Sequence, residues 1–483
     1  MKLTSAQSDR AAGVLLGQAC GDALGVPYEF GSTTLRPGEE PQMIGGGLGH
    51  YSPGEWSDDT QMAVCIAEVA AEGADLSGGE ALDRIAAAFT AWYASGPADI
   101  GVQTSTLLGQ VHRAGRTGHQ TMLEASRRLH ERTGRTAGNG ALMRTGVVGL
   151  TRLDDRNATA ASARAAAQLT HWDPLAGDSC VLWSEAVRRA VTEGVLDLSG
   201  GLDLLPVERR QDWAGWVRQS KESDPTAFRA NGFTVTALQA AWSAITHTDT
   251  GDGSPSHLVR ALHTAIGIGH DTDTVAAIAG ALLGARYGVS AIPFALRRTV
   301  HGWPGLRARG LIRLALLTAC GGTVGPGTWP NASIMDTGYE RPRGVPLPAD
   351  PGVLLGTTAD LHRLSELGVD AIVSLCRLGH EEFARGVPVE DHAEIWLVDS
   401  DYPEANQHLE FALDDAARAV RTLRREGKRV LLHCVAAQHR TPAVALRYSH
   451  LLGVDRDTAA RDITSALGVR EIGGLLWSRA SHG

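Results

Sequence analysis

Two clusters of oxygen ligands in this chain of 483 residues could do chemistry. Trp56-Ser57-Asp58-Asp59-Thr60 opens one apolar stretch, and His270-Asp271-Thr272-Asp273-Thr274 opens another far downstream. Asp, Ser and Thr are good helix caps, and carboxylates favour the positive end of a helix, so either cluster alone reads as capping. One cap uses one side chain, whereas each cluster holds two carboxylates and a hydroxyl within four residues. Brought together, four carboxylates would repel one another severely without cations between them. Oxygen donors suit hard divalent ions such as Mg2+ or Mn2+, and no Cys or His pair has zinc-like spacing. Spacing along the chain does not establish that the clusters converge.

A third constellation is Cys434-Val435-Ala436-Ala437-Gln438-His439-Arg440-Thr441, after the apolar run Val430-Leu431-Leu432-His433. It reads as strand, loop and helix with Cys-x5-Arg spacing. Such a loop can wrap a phosphate with inward-facing N–H groups, while the helix start lowers the pKa of the cysteine. The arginine can grip two phosphate oxygens. Thr441 could then stabilise the thiolate or assist hydrolysis. The plainer alternative is a buried cysteine followed by a surface arginine.

These residues need elements to hold them. Ala-rich amphipathic stretches at 6–24, 58–72, 79–94, 155–168, 176–193, 233–246, 256–268, 273–286 and 306–319 predict a mostly helical region over residues 1–320. Asp203 to Asp224, with acidic and basic residues mixed, reads as a solvated segment. Residues 321–344 are rich in Gly and Pro and read as a linker. Beyond them, strand-like runs at Ala371–Leu375, Glu394–Val398 and Arg429–Leu432 alternate with helical stretches at 405–425 and 442–452. That alternation predicts a small α/β domain over about 345–470. The expected architecture is therefore multidomain, all-α followed by α/β.

Composition narrows the partners. The net charge is −9 and no dense Lys/Arg tract occurs, which argues against bulk nucleic-acid binding. Cys20, Cys65, Cys180, Cys320, Cys376 and Cys434 are scattered, with no CxxC pair, and read as reduced thiols of a cytoplasmic protein. No apolar run is long enough to span a membrane. Trp172, Trp183, Trp213, Trp216 and Trp242 could line an aromatic site but read mainly as core.

Several segments together resemble the ADP-ribosylglycohydrolase family. They are Gly21-Asp22-Ala23-Leu24-Gly25-Val26-Pro27-Tyr28-Glu29-Phe30, WSDDTQMA at 56–63, Pro97-Ala98-Asp99-Ile100-Gly101 and Gly138-Asn139-Gly140-Ala141-Leu142-Met143-Arg144. Thr170-His171-Trp172-Asp173-Pro174, Asn231-Gly232-Phe233 and the DTDT at 271–274 complete the set. The resemblance implies an all-α fold with two Mg2+ or Mn2+ ions in a central cleft. It implies metal ligands at Ser57, Asp58, Asp59, Asp271, Asp273 and Thr274, an acidic residue at the metal centre in Asp99, and a glutamate near the substrate ribose in Glu29. Gly138, Asn139 and Gly140 would approach the pyrophosphate, and His171 is a candidate contact. His270 stands where glycine is usual, adding bulk beside the cluster.

The Cys434 segment is similar to the tyrosine and dual-specificity phosphatase signature, with Ala437 where glycine is common. That similarity implies Cys434 as nucleophile, Arg440 and Thr441 as phosphate-binding residues and Asp399 or Asp401 as general acid. The implied partners are an ADP-ribosylated protein or small ADP-ribosyl conjugate and a phosphorylated substrate. Two other readings stand beside hydrolysis of ADP-ribosyl bonds: a binding module for ADP-ribose and phosphate, and cleavage of a different glycoside.

Overall fold

A computed structural model describes residues 2–36, 38–115, 117–250, 254–383 and 386–482. The chain divides into two units: 1–292 with 299–323, and 293–298 with 324–483. The Gly/Pro-rich stretch from 324 onward falls within the second unit.

The first unit is helical. Its helices are α1 (Ser5–Gly25), α2 (Asp58–Ala70), α3 (Gly79–Ala94), α4 (Val102–Ala114), α5 (His119–Thr133), α6 (Arg156–Gln168) and α7 (Pro174–Glu193). They continue with α8 (Arg210–Glu222), α9 (Thr234–His247), α10 (Ser256–Gly267) and α11 (Thr272–Tyr287). After the short α12 (Phe294–Thr299), which falls in the second unit but for its last residue, the two-residue strands β1 (His301–Gly302) and β2 (Leu306–Arg307) form an antiparallel pair in the first unit before α13 (Ala308–Ala319).

α1 and α11 form the axis of this unit, and glycine sets their separation. Gly13, Gly17 and Gly21 face Gly284, Gly280 and Ala276 in antiparallel order. A Cβ on Gly17 would stand 2.3 Å from the Gly280 carbonyl oxygen, and one on Gly280 would stand 2.1 Å from that of Gly17. The backbones therefore touch on three successive turns. At the end of this seam Gly25 abuts the Cα of Asp273, so the last turn of α1 meets the first turn of α11.

α4, α5 and α8 were not among the helices expected. α5 buries only Met122, Ser126 and Leu129, and α8 only Trp213, Val217 and Ser220. Stripes that narrow, at spacings of three and four on an otherwise polar helix, give little periodic signal. The segment Asp203–Asp224 is thus a partly buried helical one. Trp183, Trp213 and Trp242 are core residues, at most 2% exposed.

The second unit is a five-stranded sheet between helices. Its strands are β3 (Val345–Leu347), β4 (Asp350–Gly356), β5 (Ala371–Ser374), β6 (His392–Glu394) and β7 (Val430–His433), in the order β3-β4-β7-β5-β6. All neighbours are parallel except β3 with β4. Helices α14 (Leu364–Leu367), α15 (His380–Phe383), α16 (Leu409–Arg425), α17 (Arg440–Leu451), α18 (Arg456–Ala466) and α19 (Leu475–Ala480) complete it. Val353, Leu355, Val373 and Leu432 share a core with Leu413, Val420 and Val444, while Leu354, Ile372 and Leu431 pack with Leu361 and Leu364. Strands buried on both faces explain the unbroken apolar runs in the sequence.

Two details differ from expectation or extend it. The strand expected over Glu394–Val398 ends at Glu394. Beyond it, Asn406 brackets Val398 by accepting from its N–H (2.8 Å) and donating to its carbonyl (2.9 Å), and Arg440 takes the Leu397 carbonyl. Side chains thus replace the ladder. The segment Pro293–Arg298 also belongs to this unit: Asp415 on α16 accepts from the Phe294 N–H (2.9 Å) and from Arg297 (2.8 Å), and Phe294 lies in the core.

Candidate functional site

The two aspartate clusters meet. α2 and α11 both begin at one cavity of about 410 Å3, lined by Glu29, Asp58, Asp99, Asp271, Asp273 and Thr274 among others. Carboxylate oxygens of Asp22, Asp59 and Asp273 lie within 4.8 Å of one another, and so do those of Glu29, Asp271 and Asp273. Asp273 belongs to both groups. All five are buried. Oδ1 of Asp59 is buried with no hydrogen-bond partner. An orphaned carboxylate oxygen within an all-oxygen donor set is what a hard divalent cation would satisfy, so these residues fit such ions.

Electrostatics of the cluster point the same way. Burial, with Asp271, Asp99 and Asp58 nearby, pushes the Glu29 carboxyl up to about 9. Burial, reinforced by Asp99 and Asp22, pushes Asp58 up to about 8. Asp59, Asp271 and Asp273 are also raised, again chiefly by burial. Asp22 rises less, to about 6, because hydrogen bonds oppose its burial.

Asp22 is the member that the sequence reading did not single out. Its carboxylate accepts from the Ser57 N–H (2.8 Å), the Thr60 N–H (3.0 Å) and the Thr60 hydroxyl (2.6 Å). It thereby satisfies, from α1, free donors at the start of α2. Its place inside Gly21-Asp22-Ala23 was the available signal. Ser57 Oγ donates to Asp59 Oδ2 (2.9 Å), which orients that carboxylate. Thr274 lines the cavity, and its N–H donates to Asp273 (2.9 Å).

The 138–144 segment forms another wall. Asn139 Nδ2 donates to Asp271 Oδ2 (2.7 Å) and to the Asn231 carbonyl (3.0 Å), and Asn231 Oδ1 accepts from the Asp271 N–H (3.1 Å). Asn231 is thus a second positioning residue, visible only as part of Asn231-Gly232-Phe233. Gly138 and Gly140 lie against His171: a Cβ on Gly140 would be 3.1 Å from Cε1 of the ring. Arg144, buried and held near about 10 by that burial, donates to the Gly140 carbonyl (3.1 Å) and the Thr170 hydroxyl (2.6 Å). Burial and then Arg144 hold His171 well below its usual pKa, so the ring is neutral. The Thr170 hydroxyl also lies 2.7 Å from His171 Nδ1, and Nε2 is beside the glycines.

Asp99 is half-buried at the cavity, with Oδ1 on the N–H of Ile100 (2.8 Å). His270, in contrast, does not line the acidic cavity but a neighbouring one.

In the second unit the Cys434 loop joins β7 to α17. Cys434 is 1% exposed and Thr441 fully buried. Arg440 Nη1 donates to the carbonyls of Leu375 (3.0 Å) and Leu397 (3.2 Å). Its Nε lies 3.5 Å from Asp399 Oδ2, an ion pair without hydrogen-bond geometry, and Nε and the Thr441 hydroxyl are buried without hydrogen-bond partners. Asp399 also holds His439 Nδ1 (3.0 Å). Asp401 instead accepts from the N–H of Leu475 (2.7 Å) at the start of α19, so Asp399 is the carboxylate at the loop. Ala437 has φ of +53°, the left-handed conformation that suits glycine, at a cost of about 1 kcal/mol for a side-chain-bearing residue.

A family model described as ADP-ribosylglycohydrolase matches residues 3–323. An ADP-ribosylarginine hydrolase of Serratia proteamaculans is 28% identical over 297 residues, covering 59% of this chain and 73% of that protein. A solved structure described as an ADP-ribosylglycohydrolase-related protein complex is 25% identical, covers 66% of this chain and all of the other, and superposes with a TM-score of 0.50. A mouse putative dual specificity phosphatase is 20% identical, covers 30% of this chain and 89% of that one, with a TM-score of 0.25. No helix among the described residues is long and apolar enough to cross a membrane.

Proposed function

The chain belongs to the ADP-ribosylglycohydrolase family, and from that premise we propose that its first unit hydrolyses the glycosidic bond between ADP-ribose and a modified side chain. The arginine linkage is the first candidate, given the similar hydrolase of Serratia. The observation that carries this reading is the pair of carboxylate triads sharing Asp273 at a cavity walled by Gly138–Gly140.

Asp59, Asp271 and Asp273 would hold two divalent cations, Mg2+ or Mn2+, with Ser57, Asp58 and Thr274 completing the donor set. Asp22 acts through the start of α2. When bound, such ions polarise ribose hydroxyls and acidify water. Asp99, with Oδ2 uncommitted to its own backbone, takes the proton of the attacking water and returns it to the departing side chain. Glu29 orients a ribose hydroxyl. His171, neutral and with Nε2 at the glycine wall, hydrogen-bonds the ADP moiety without adding charge.

Gly140→Ala should push His171 by a few tenths of an ångström and raise KM for the ADP-ribosyl substrate about tenfold, with kcat little changed. Steady-state kinetics check this. The central test incubates the full chain with ADP-ribosyl-arginine, ADP-ribosyl-serine and an ADP-ribosylated nucleic-acid end, with and without EDTA. Free ADP-ribose should appear from the arginine linkage only with Mg2+ or Mn2+. Release unaffected by EDTA, or from no linkage, overturns the reading.

A second activity is favoured by the Cys434 loop. Arg440 makes its hydrogen bonds through Nη1, and its Nε, ion-paired with Asp399 without a hydrogen bond, and the Thr441 hydroxyl are buried donors that an anion would satisfy. We propose phosphate-monoester hydrolysis with Cys434 as nucleophile and Asp399 as general acid. The full chain should turn over para-nitrophenyl phosphate, and Cys434→Ser should abolish it. Absence of turnover, with phosphate raising the melting temperature of wild type but not of Arg440→Ala, would make this unit a phosphate-binding module instead.

A further inference from the structure

A second cavity, about 380 Å3, lies beside the acidic one, and Phe30 lines both. The chemistry proposed above does not use it. Its wall is formed by the loop of Thr33, Thr34 and Leu35, its floor by Ile266 and Gly267 at the end of α10, and its remaining side by Arg229 and His270. No carboxylate among the described residues lines it. Arg229 Nε donates to the Ile268 carbonyl (3.0 Å), which fixes the guanidinium across the end of α10. Its two Nη groups have no carboxylate partner among the described residues. Gly269, at φ +84°, passes so close to Nη2 that a Cβ would stand 3.2 Å from it.

The partition between the cavities is strained. Phe30 (φ +44°) and His270 (φ +64°) are both left-handed without being glycine. The Phe30 N–H donates to the His270 carbonyl (2.7 Å), and the two rings meet edge to face at 6.3 Å. Phe30 is nevertheless 57% exposed. Strain held at an exposed aromatic between two cavities marks a surface meant to be touched.

We infer that this cavity is a specificity pocket for the protein part of the substrate, taking an aspartate or glutamate side chain that neighbours the ADP-ribosylated residue. The inference rests on reading the acidic cavity as the hydrolytic site. Arg229, with no carboxylate partner among the described residues, offers such a side chain a cation beside the hydrolytic site. A residue flanking the modified side chain passes Phe30 to reach it. The pyrophosphate of ADP-ribose is the other anion that Arg229 could meet, and the test separates the two.

The full chain with Mn2+ is assayed on ADP-ribosyl-arginine and on two ADP-ribosyl-arginine peptides differing only in Asp or Lys beside the modified residue. Wild type should prefer the Asp peptide roughly fivefold in kcat/KM, through KM. Arg229→Gln should cancel the preference and Arg229→Glu reverse it. Thr34→Glu, which fills the pocket with its own carboxylate and leaves the Arg229 hydrogen bond to the Ile268 carbonyl in place, should cancel it too. Turnover of ADP-ribosyl-arginine should change by less than about twofold. Equal losses on all three substrates would place nucleotide in the cavity and overturn the proposal. So would a wild type without preference, or an Arg229→Gln protein altered only in melting temperature. If nothing is cleaved, the hydrolase reading fails by itself. The Kd of the same peptides by fluorescence anisotropy then decides the pocket, with the Asp preference and its loss in Arg229→Gln expected and equal Kd values overturning it.

Discussion

Asp273→Asn should lower ADP-ribosyl hydrolysis by about a thousandfold, because Asp273 is the carboxylate common to both triads. The same change should stabilise the protein when divalent cations are withheld. Burial and mutual repulsion raise Glu29 to about 9, Asp58 to about 8 and Asp22 to about 6, with Asp59, Asp271 and Asp273 raised as well. A carboxyl with a higher pKa folded than unfolded keeps its proton better in the folded chain. Its contribution is complete below its unfolded pKa, about 4, and is lost as pH rises through the folded value. The cation-free protein should therefore lose stability from about pH 4 towards about 9. Mg2+ or Mn2+ should restore it at the alkaline end and release protons on binding. Scanning calorimetry of wild type and Asp273→Asn across this range, with and without Mn2+, checks both statements. A cation-free wild type with a flat profile would refute the crowded-carboxylate account.

Gly17→Val should cost the first unit about 3 kcal/mol, or about 8 °C in melting temperature. The side chain would have to displace the backbone of α11, since even a Cβ meets the Gly280 carbonyl at 2.3 Å. Prising the helices apart also moves Asp22 from Asp273, so metal affinity should fall with stability. Gly215→Ala on α8 is the control. Its Cβ would meet nothing within 4 Å, and it should leave stability unchanged or raise it by up to about 1 kcal/mol. Thermal unfolding of both variants, with and without Mn2+, tests the seam.

Strongly periodic or strongly apolar elements were legible in the sequence. The Ala-rich stretch 79–94 is α3 to the residue, and 256–268 is α10 within one residue. α5 and α8 were missed because three buried residues on a polar helix give almost no period. The strand expected over Glu394–Val398 fails for another reason: the side chains of Asn406 and Arg440 take the ladder's hydrogen-bonding groups, and no local pattern announces partners from so far along the chain. Convergence of the carboxylates could not be read from spacing along the chain, because the glycine seam that brings α1 against α11 repeats every four residues among ordinary alanine and glycine. Asp22 was quoted within a motif but given no task, because its hydrogen bonds to Ser57 and Thr60 exist only once α1 and α2 are packed.

The membership of Pro293–Arg298 in the second unit bears on how the protein can be dissected. That unit is discontinuous in sequence, so a single cut after residue 323 does not yield it whole. A fragment beginning at 324 would leave Asp415, 7% exposed, without the Phe294 amide and the Arg297 guanidinium that now hold it. It would carry a buried, unpaired carboxylate and a gap where Phe294 packed. Poor behaviour of such a fragment would report the missing hexapeptide rather than any inability of the five-stranded sheet to fold, and a circularly permuted or split version that supplies 293–298 is the proper way to study it alone.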